Sequence, residues 1–180
     1  MEKLNTEFVY AACSLLCAAL GAVYDVTIRR IPNAYTLPAI VFALGLHFTL
    51  GGWRQLGAAA AAGLFCGFLF TLFYLAGGMG GGDVKLITAV GCSTGLSLVG
   101  PLLILTSLAG GLMAVGLALY RRRLKETLMN MYTLAVHHGA VGLVPHAELN
   151  IGNAQTLRLP YALAIAVGSA LNLGLLFAQR

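Results

Sequence analysis

Residues 74–88 read YLAGGMGGGDVKLIT, an apolar run that ends in glycines, meets the carboxylate of Asp83 and resumes with Val84, Leu86 and Ile87. An ionised side chain near hydrocarbon costs several kcal/mol, so an acid held there is normally paired or functional. Gly80, Gly81 and Gly82 strip the approach to Asp83 of side chains and permit backbone angles closed to other residues. The stretch therefore reads as an open cradle around one acid. The simpler alternative is that Asp83 caps a helix beginning at Val84.

A second acid favours the first reading. Asp25 stands at the end of the first apolar run, in AVYDVTIRRIPN, and is the sole acid between Glu7 and Asp83. If residues 8–24 are helical, Asp25 sits near the negative C-terminal end, where a carboxylate gains nothing from the dipole. Capping does not explain it. Two isolated acids at the edges of apolar helices suggest a pair, and carboxylates that share a proton can activate water against an amide.

The rest of the chain sets the frame. Of 180 residues, 59% are hydrophobic and 9% charged, against about 25% charged in soluble domains. This composition predicts an all-α polytopic integral membrane protein, because the apolar runs far exceed the roughly 10-residue alternating segments of a barrel. About six transmembrane helices are expected: residues 8–24, 35–50, 56–76, a short span opening just after Asp83 and fading by about Thr94, then 98–120 and 160–178. The short span cannot cross alone, so the glycine loop before it is expected to dip into protein-lined space. The net charge of +5 comes from short basic clusters between apolar runs, a membrane-topology pattern that argues against nucleic acid as a partner. An even number of crossings puts Arg29, Arg30, Lys85, Arg121–Lys125 and Arg158 on one side, and Lys3, Arg54 and Arg180 on the other. The positive-inside rule makes the first side cytoplasmic, and both acids lie toward it.

Lesser signals have plain readings. Cys13, Cys17, Cys66 and Cys92 lie in apolar runs without CxxC spacing, so no metal or disulfide framework is indicated. His47 is expected to face a neighbouring helix, and Gly63 with Gly67 to allow close helix approach. Residues 121–158 read as a cytoplasmic loop with an interfacial helix, Leu124, Leu128, Met131 and Ala135 recurring at helical spacing after the basic start. His137, His138, His146 and Glu148 lack metal-site spacing, and no cofactor is indicated. The first apolar run has no A-x-A type site before Asp25 and reads as a retained anchor. Residues 1–180 then form a single membrane-embedded domain.

The motifs resemble a known family. Gly80-Gly81-Gly82-Asp83 spells GxGD and continues as Val84-Lys85-Leu86, while Asp25 is followed at short range by Ile31-Pro32-Asn33. Together these are similar to the type IV prepilin peptidases, intramembrane aspartyl proteases of the bacterial inner membrane, and Leu159-Pro160-Tyr161-Ala162 resembles the family's last membrane segment. The absence of extra domains is most similar to the short form of tight-adherence (Flp) pilus systems. The longer members carry a cytoplasmic extension with paired CxxC motifs and an N-methyltransferase activity, which leaves methylation in doubt here.

The resemblance implies Asp25 and Asp83 as catalytic residues, prepilins or pseudopilins as substrates, and cleavage at the cytoplasmic boundary. Gly80, Gly81 and Gly82 would pair with an extended peptide. Arg29 and Arg30 would attract an acidic residue after the cut, and Lys85 would bind lipid phosphate or substrate. Ile31, Pro32 and Asn33 would fix the angle between the first two spans. Helix ends suggest Asp83 as the general base and Asp25 as the acid. Rival readings are a GxGD protease of presenilin or signal-peptide-peptidase type, a small ion-coupled transporter using the buried acids, and a structural subunit. A homo-oligomer is left open.

Overall fold

The computed structural model describes residues 2–146, 149 and 160–178. Glu148, Arg158, Leu159 and Arg180 lie outside them, as does the side chain of Lys3. Among the described residues six helices follow one another: α1 (Glu2–Ile28), α2 (Asn33–Leu75), α3 (Gly81–Thr94), α4 (Leu96–Tyr120), α5 (Leu124–Val141) and α6 (Tyr161–Ala178). Four of them, α1, α2, α4 and α6, are long and apolar enough to cross a membrane. The protein is all-helical and polytopic.

The second and third expected spans are one helix by hydrogen bonding, broken at Gly52, whose φ of 66° and ψ of −163° are not helical. Such a φ is favoured by glycine, and the chain folds back there. Ile31, just before α2, and Tyr74, at its end, both lie against the Gly81–Gly82 dipeptide. The two arms of α2 are therefore antiparallel passes, of about 28 and 35 Å at 1.5 Å per residue. Trp53 sits at the reversal, 76% exposed, as an interfacial aromatic would.

Each arm serves α3. Gly63 and Gly67 face Thr88 and Cys92, while Gly91 of α3 faces Cys66 and the Ala62 carbonyl. The small-residue pair thus receives the short helix, as its spacing predicts. His47 is fully buried, with Nε2 3.2 Å from the Ser93 carbonyl and its ring stacked 3.6 Å from Tyr10. The polar residue expected to face a neighbouring helix does so.

α3 begins earlier than the sequence reading allowed. Its first residue is Gly81, so Gly81 and Gly82 are helical and the irregular linker is confined to residues 76–80. Glycine is a poor helix former, which is why the pattern pointed to Val84. The first turn packs between the two arms of α2: a Cβ on Gly82 would stand 3.5 Å from Ile31 and one on Gly81 3.7 Å from Tyr74, ordinary contact distances.

α1 packs on α3 across Gly21, where an added Cβ would lie 2.3 Å from Leu86 Cδ1. Leu86 is fully buried in the main cluster with Ile87, Val90, Leu102 and Ile165. α4 and α6 close the bundle. Residues 124–135, read from their spacing as helical, form part of a longer helix, α5, and none of its residues is buried. His137, at its end, stacks edgewise on His138 and His146.

Candidate active site

The position of the two acids follows from a hydrogen bond at the other end of the bundle. Thr94 Oγ1 on α3 donates to Ser14 Oγ on α1 at 2.7 Å, and both residues are buried. α1 runs away from that bond and α3 runs toward it, and each acid lies eleven residues from it. At 1.5 Å per residue each is about 16 Å away along its own helix. Antiparallel packing with that register brings Asp25 and Asp83 to one level at one end of the bundle.

The local chain explains each environment. Asp83 is the third residue of α3 and reaches back to the Gly80 N–H, which donates to Oδ2 at 3.3 Å, while the Asp83 N–H donates to the Gly80 carbonyl at 3.1 Å. This is the acidic half of a capping box with glycine at the N-cap. The capping alternative thus describes one oxygen of Asp83. Burial pushes the Asp83 carboxyl up to about 6; the charge of Asp25 adds to the rise and the Gly80 N–H opposes it. Asp25 therefore acts electrostatically on Asp83 although 58 residues separate them in sequence. Like charges so placed resist joint ionisation.

Asp25 is half-buried on the last turns of α1. Burial is the strongest influence on its carboxyl, and the Ala162 N–H and the charge of Arg29, both nearby, oppose it. Ala162 belongs to the first turn of α6, where free N–H groups and the dipole favour an anion. α6 thereby offsets the C-terminal position of Asp25 on α1, a relation between distant segments that neighbouring sequence does not reveal. Neither acid has a basic side chain within 4 Å among the described residues, where the ion pair is Arg123–Glu126 at 3.7 Å.

The remaining candidates surround this pair unequally. Ile31 is buried against Gly82, and Asn33 opens α2 after Pro32 in extended conformation. Tyr35 follows, its hydroxyl donating to the Cys17 carbonyl and so tying α2 to α1. Arg29 and Arg30 are exposed beyond the end of α1, Arg29 with a φ of 51°. Lys85 is exposed on α3, on another face from Asp83. Tyr161, the residue before Ala162, lies within electrostatic reach of Asp83. The sequence reading singled out the Pro160-Tyr161-Ala162 segment but gave it no part in the site. A proline directly before a helix on the same side as both acids was the available signal.

An all-helical membrane bundle that brings two acids from distant helices to one end defines a class, that of polytopic helical proteins with a carboxylate pair. Within it, the chain belongs to the type IV leader peptidase family, whose sequence pattern matches residues 10–115. Both acids fall in the matched part, and α6 lies beyond it. The chain is 36% identical over 90 residues to prepilin peptidase EppA of Methanocaldococcus jannaschii, covering 50% of this chain and 24% of that protein. It is 37% identical over 105 residues to the prepilin leader peptidase/N-methyltransferase of Aeromonas hydrophila, covering 54% of this chain and 36% of that one. The matches thus span well under half the length of these relatives. No solved structure matches.

Proposed function

We propose that this protein is an aspartic endopeptidase that removes the basic leader of prepilins or pseudopilins of the Flp type. The observation that carries the reading is the approach of two half-buried acids, from α1 and α3, at one end of an apolar bundle, with the charge of one acting on the other. The family and the names of the relatives supply the substrate class. The basic residues at that end of the bundle support a cytoplasmic orientation in the inner membrane. The four residues between α1 and α2 hold no cysteine, and we assign no methyl transfer to the chain.

The environments suggest a division of labour opposite to the one drawn from α1 and α3 alone. Asp25, facing the Ala162 N–H and Arg29, is the carboxylate. Asp83, more enclosed and beside that charge, holds the proton. Asp25 takes a proton from water as the water oxygen attacks the scissile carbonyl carbon, and Asp83 gives its proton to the carbonyl oxygen. Collapse of the tetrahedral adduct breaks the C–N bond as the amine takes the proton held on Asp25 and one adduct hydroxyl returns its proton to Asp83. The pair titrates as a unit. Gly80 and the glycines after it admit an extended peptide beside the acids. Arg29 and Arg30 attract an acidic residue after the cut, and Lys85 meets lipid phosphate.

Co-expression with a candidate Flp prepilin, followed by sequencing of the mature pilin N-terminus, tests the function. Cleavage at the leader boundary that disappears in both Asp25→Asn and Asp83→Asn is the expected result. Cleavage that persists in either variant removes the two-acid mechanism.

A further inference from the structure

The bundle has a second polar centre at the end opposite the acids. A cavity of about 140 Å³ lies there between the start of α1, the reversal of α2 and the junction of α3 with α4. On a measure by which one water needs about 10–15 Å³, it has room for a small organic group. Glu7, Tyr10, His47 and Gln55 give it polar walls, and Leu50 and Leu96 complete its rim. Two glycines make this lining possible. A Cβ on Gly95, whose φ is 75°, would stand 2.7 Å from His47 Cε1, and one on Gly51 would stand 2.2 Å from Gln55 Cγ.

Two of these side chains are unsatisfied. The Tyr10 hydroxyl and His47 Nδ1 are buried without a hydrogen-bond partner among the described residues, on side chains that belong to residues 4% and 0% exposed. Buried polar atoms are costly to leave unpaired, so each calls for a group to complete it. Stacking does not explain the hydroxyl, because a phenylalanine ring would stack on His47 as well. The other ring nitrogen sets the chemistry of the gap. His47 Nε2 lies 3.2 Å from the Ser93 carbonyl; a carbonyl only accepts, so Nε2 carries the hydrogen and Nδ1 of the neutral ring is an acceptor. The Glu7 carboxylate and the Tyr10 oxygen accept as well. Acceptors gathered beside one acid suit a cation with several N–H donors.

We propose that this cavity binds a primary ammonium group, carried by the headgroup of a lipid of the phosphatidylethanolamine type. The rim favours a lipid over a free amine: Leu50 and Leu96 are 49% and 54% exposed, which in a membrane bundle offers them to acyl chains, and Trp53 just after the reversal marks headgroup depth. The site stands apart from Asp25 and Asp83 and does not depend on the peptidase reading.

The test is thermal unfolding of the purified full chain in detergent, titrated with short-chain phosphatidylethanolamine, short-chain phosphatidylcholine or free ethanolamine. A ligand that binds only the folded protein raises its unfolding temperature. Phosphatidylethanolamine is expected to do so and phosphatidylcholine is not, because a quaternary ammonium has no N–H to give. Glu7→Gln should abolish the shift, and Tyr10→Phe should weaken the apparent Kd about tenfold, the size of one hydrogen bond to a charged group. Without lipid, Tyr10→Phe should unfold no lower than the native chain, since its hydroxyl has no partner there. Equal shifts from the two lipids, a shift of native strength in either variant, or no shift from phosphatidylethanolamine overturns the proposal. If free ethanolamine matches the lipid at equal concentration, the ammonium site stands and the lipid as its source is overturned.

Discussion

The two ends of α3 are built on opposite terms. At its C-terminal end Thr94 is hydrogen-bonded to Ser14, Ser93 offers its carbonyl to His47, and all four side chains are buried. At its N-terminal end Asp83 and its neighbour Asp25 remain half-buried, Asp83 with the Gly80 N–H, and neither is in an ion pair among the described residues. One end is tied across helices by neutral polar contacts, and the other keeps two half-buried acids. Because a helix is stiff, the closed end sets the register of the open one over eleven residues on each side. The difference teaches that precision at this site is supplied from the far side of the bundle.

The comparison can be broken most severely at the open end. Asp25→Asn and Asp83→Asn are each expected to lower prepilin cleavage by roughly 10²- to 10⁴-fold, the range of a lost acid or base. Membrane abundance and thermal unfolding should stay unchanged, since neither acid anchors an ion pair. The pH profile sharpens the contrast between the acids. With Asp83 as the proton holder, kcat/KM falls as pH rises through its raised pKa, about 6, nearly tenfold for each unit beyond it. It also falls at low pH as Asp25 takes up a proton. An Asp83 limb that rises with pH instead would return the base role to Asp83.

Between the two ends, Gly21→Ala puts a Cβ 2.3 Å from Leu86 Cδ1, so the fully buried Leu86 side chain must shift. Overpacking of this kind costs about 1–3 kcal/mol. Thermal unfolding in detergent should fall, and cleavage with it, since α1 and α3 carry one acid each. The smallest effect is expected at the closed end: Thr94→Val removes an interhelical hydrogen bond worth about 0.6 kcal/mol in a membrane protein. If Thr94→Val lowers kcat more than its loss of stability accounts for, the register bond has a direct part in aligning the acids.

The spans were legible because long apolar runs punctuated by arginines have few other meanings near a bilayer. The reversal at Gly52 was legible as Gly51-Gly52-Trp53-Arg54. Its neighbour α3 was legible in its end at Thr94 but not in its start, since Gly81 and Gly82 are weak helix formers held in the helix by Ile31 and Tyr74. Asp25 and Asp83 were conspicuous as isolated acids. Their electrostatic surroundings were not, because the Ala162 N–H that faces Asp25 comes from 137 residues further along.

What the sequence alone determined is which residues had to be explained: a hydrophobic chain cannot keep an acid at a helix edge without a reason, and Asp25 and Asp83 are the two it keeps there. What only the tertiary structure decided is how they differ. A carboxyl's preference for its proton depends on burial and on fields from whatever packs against it: for Asp83 these are its own enclosure and the charge of Asp25, which the sequence around Asp83 does not contain.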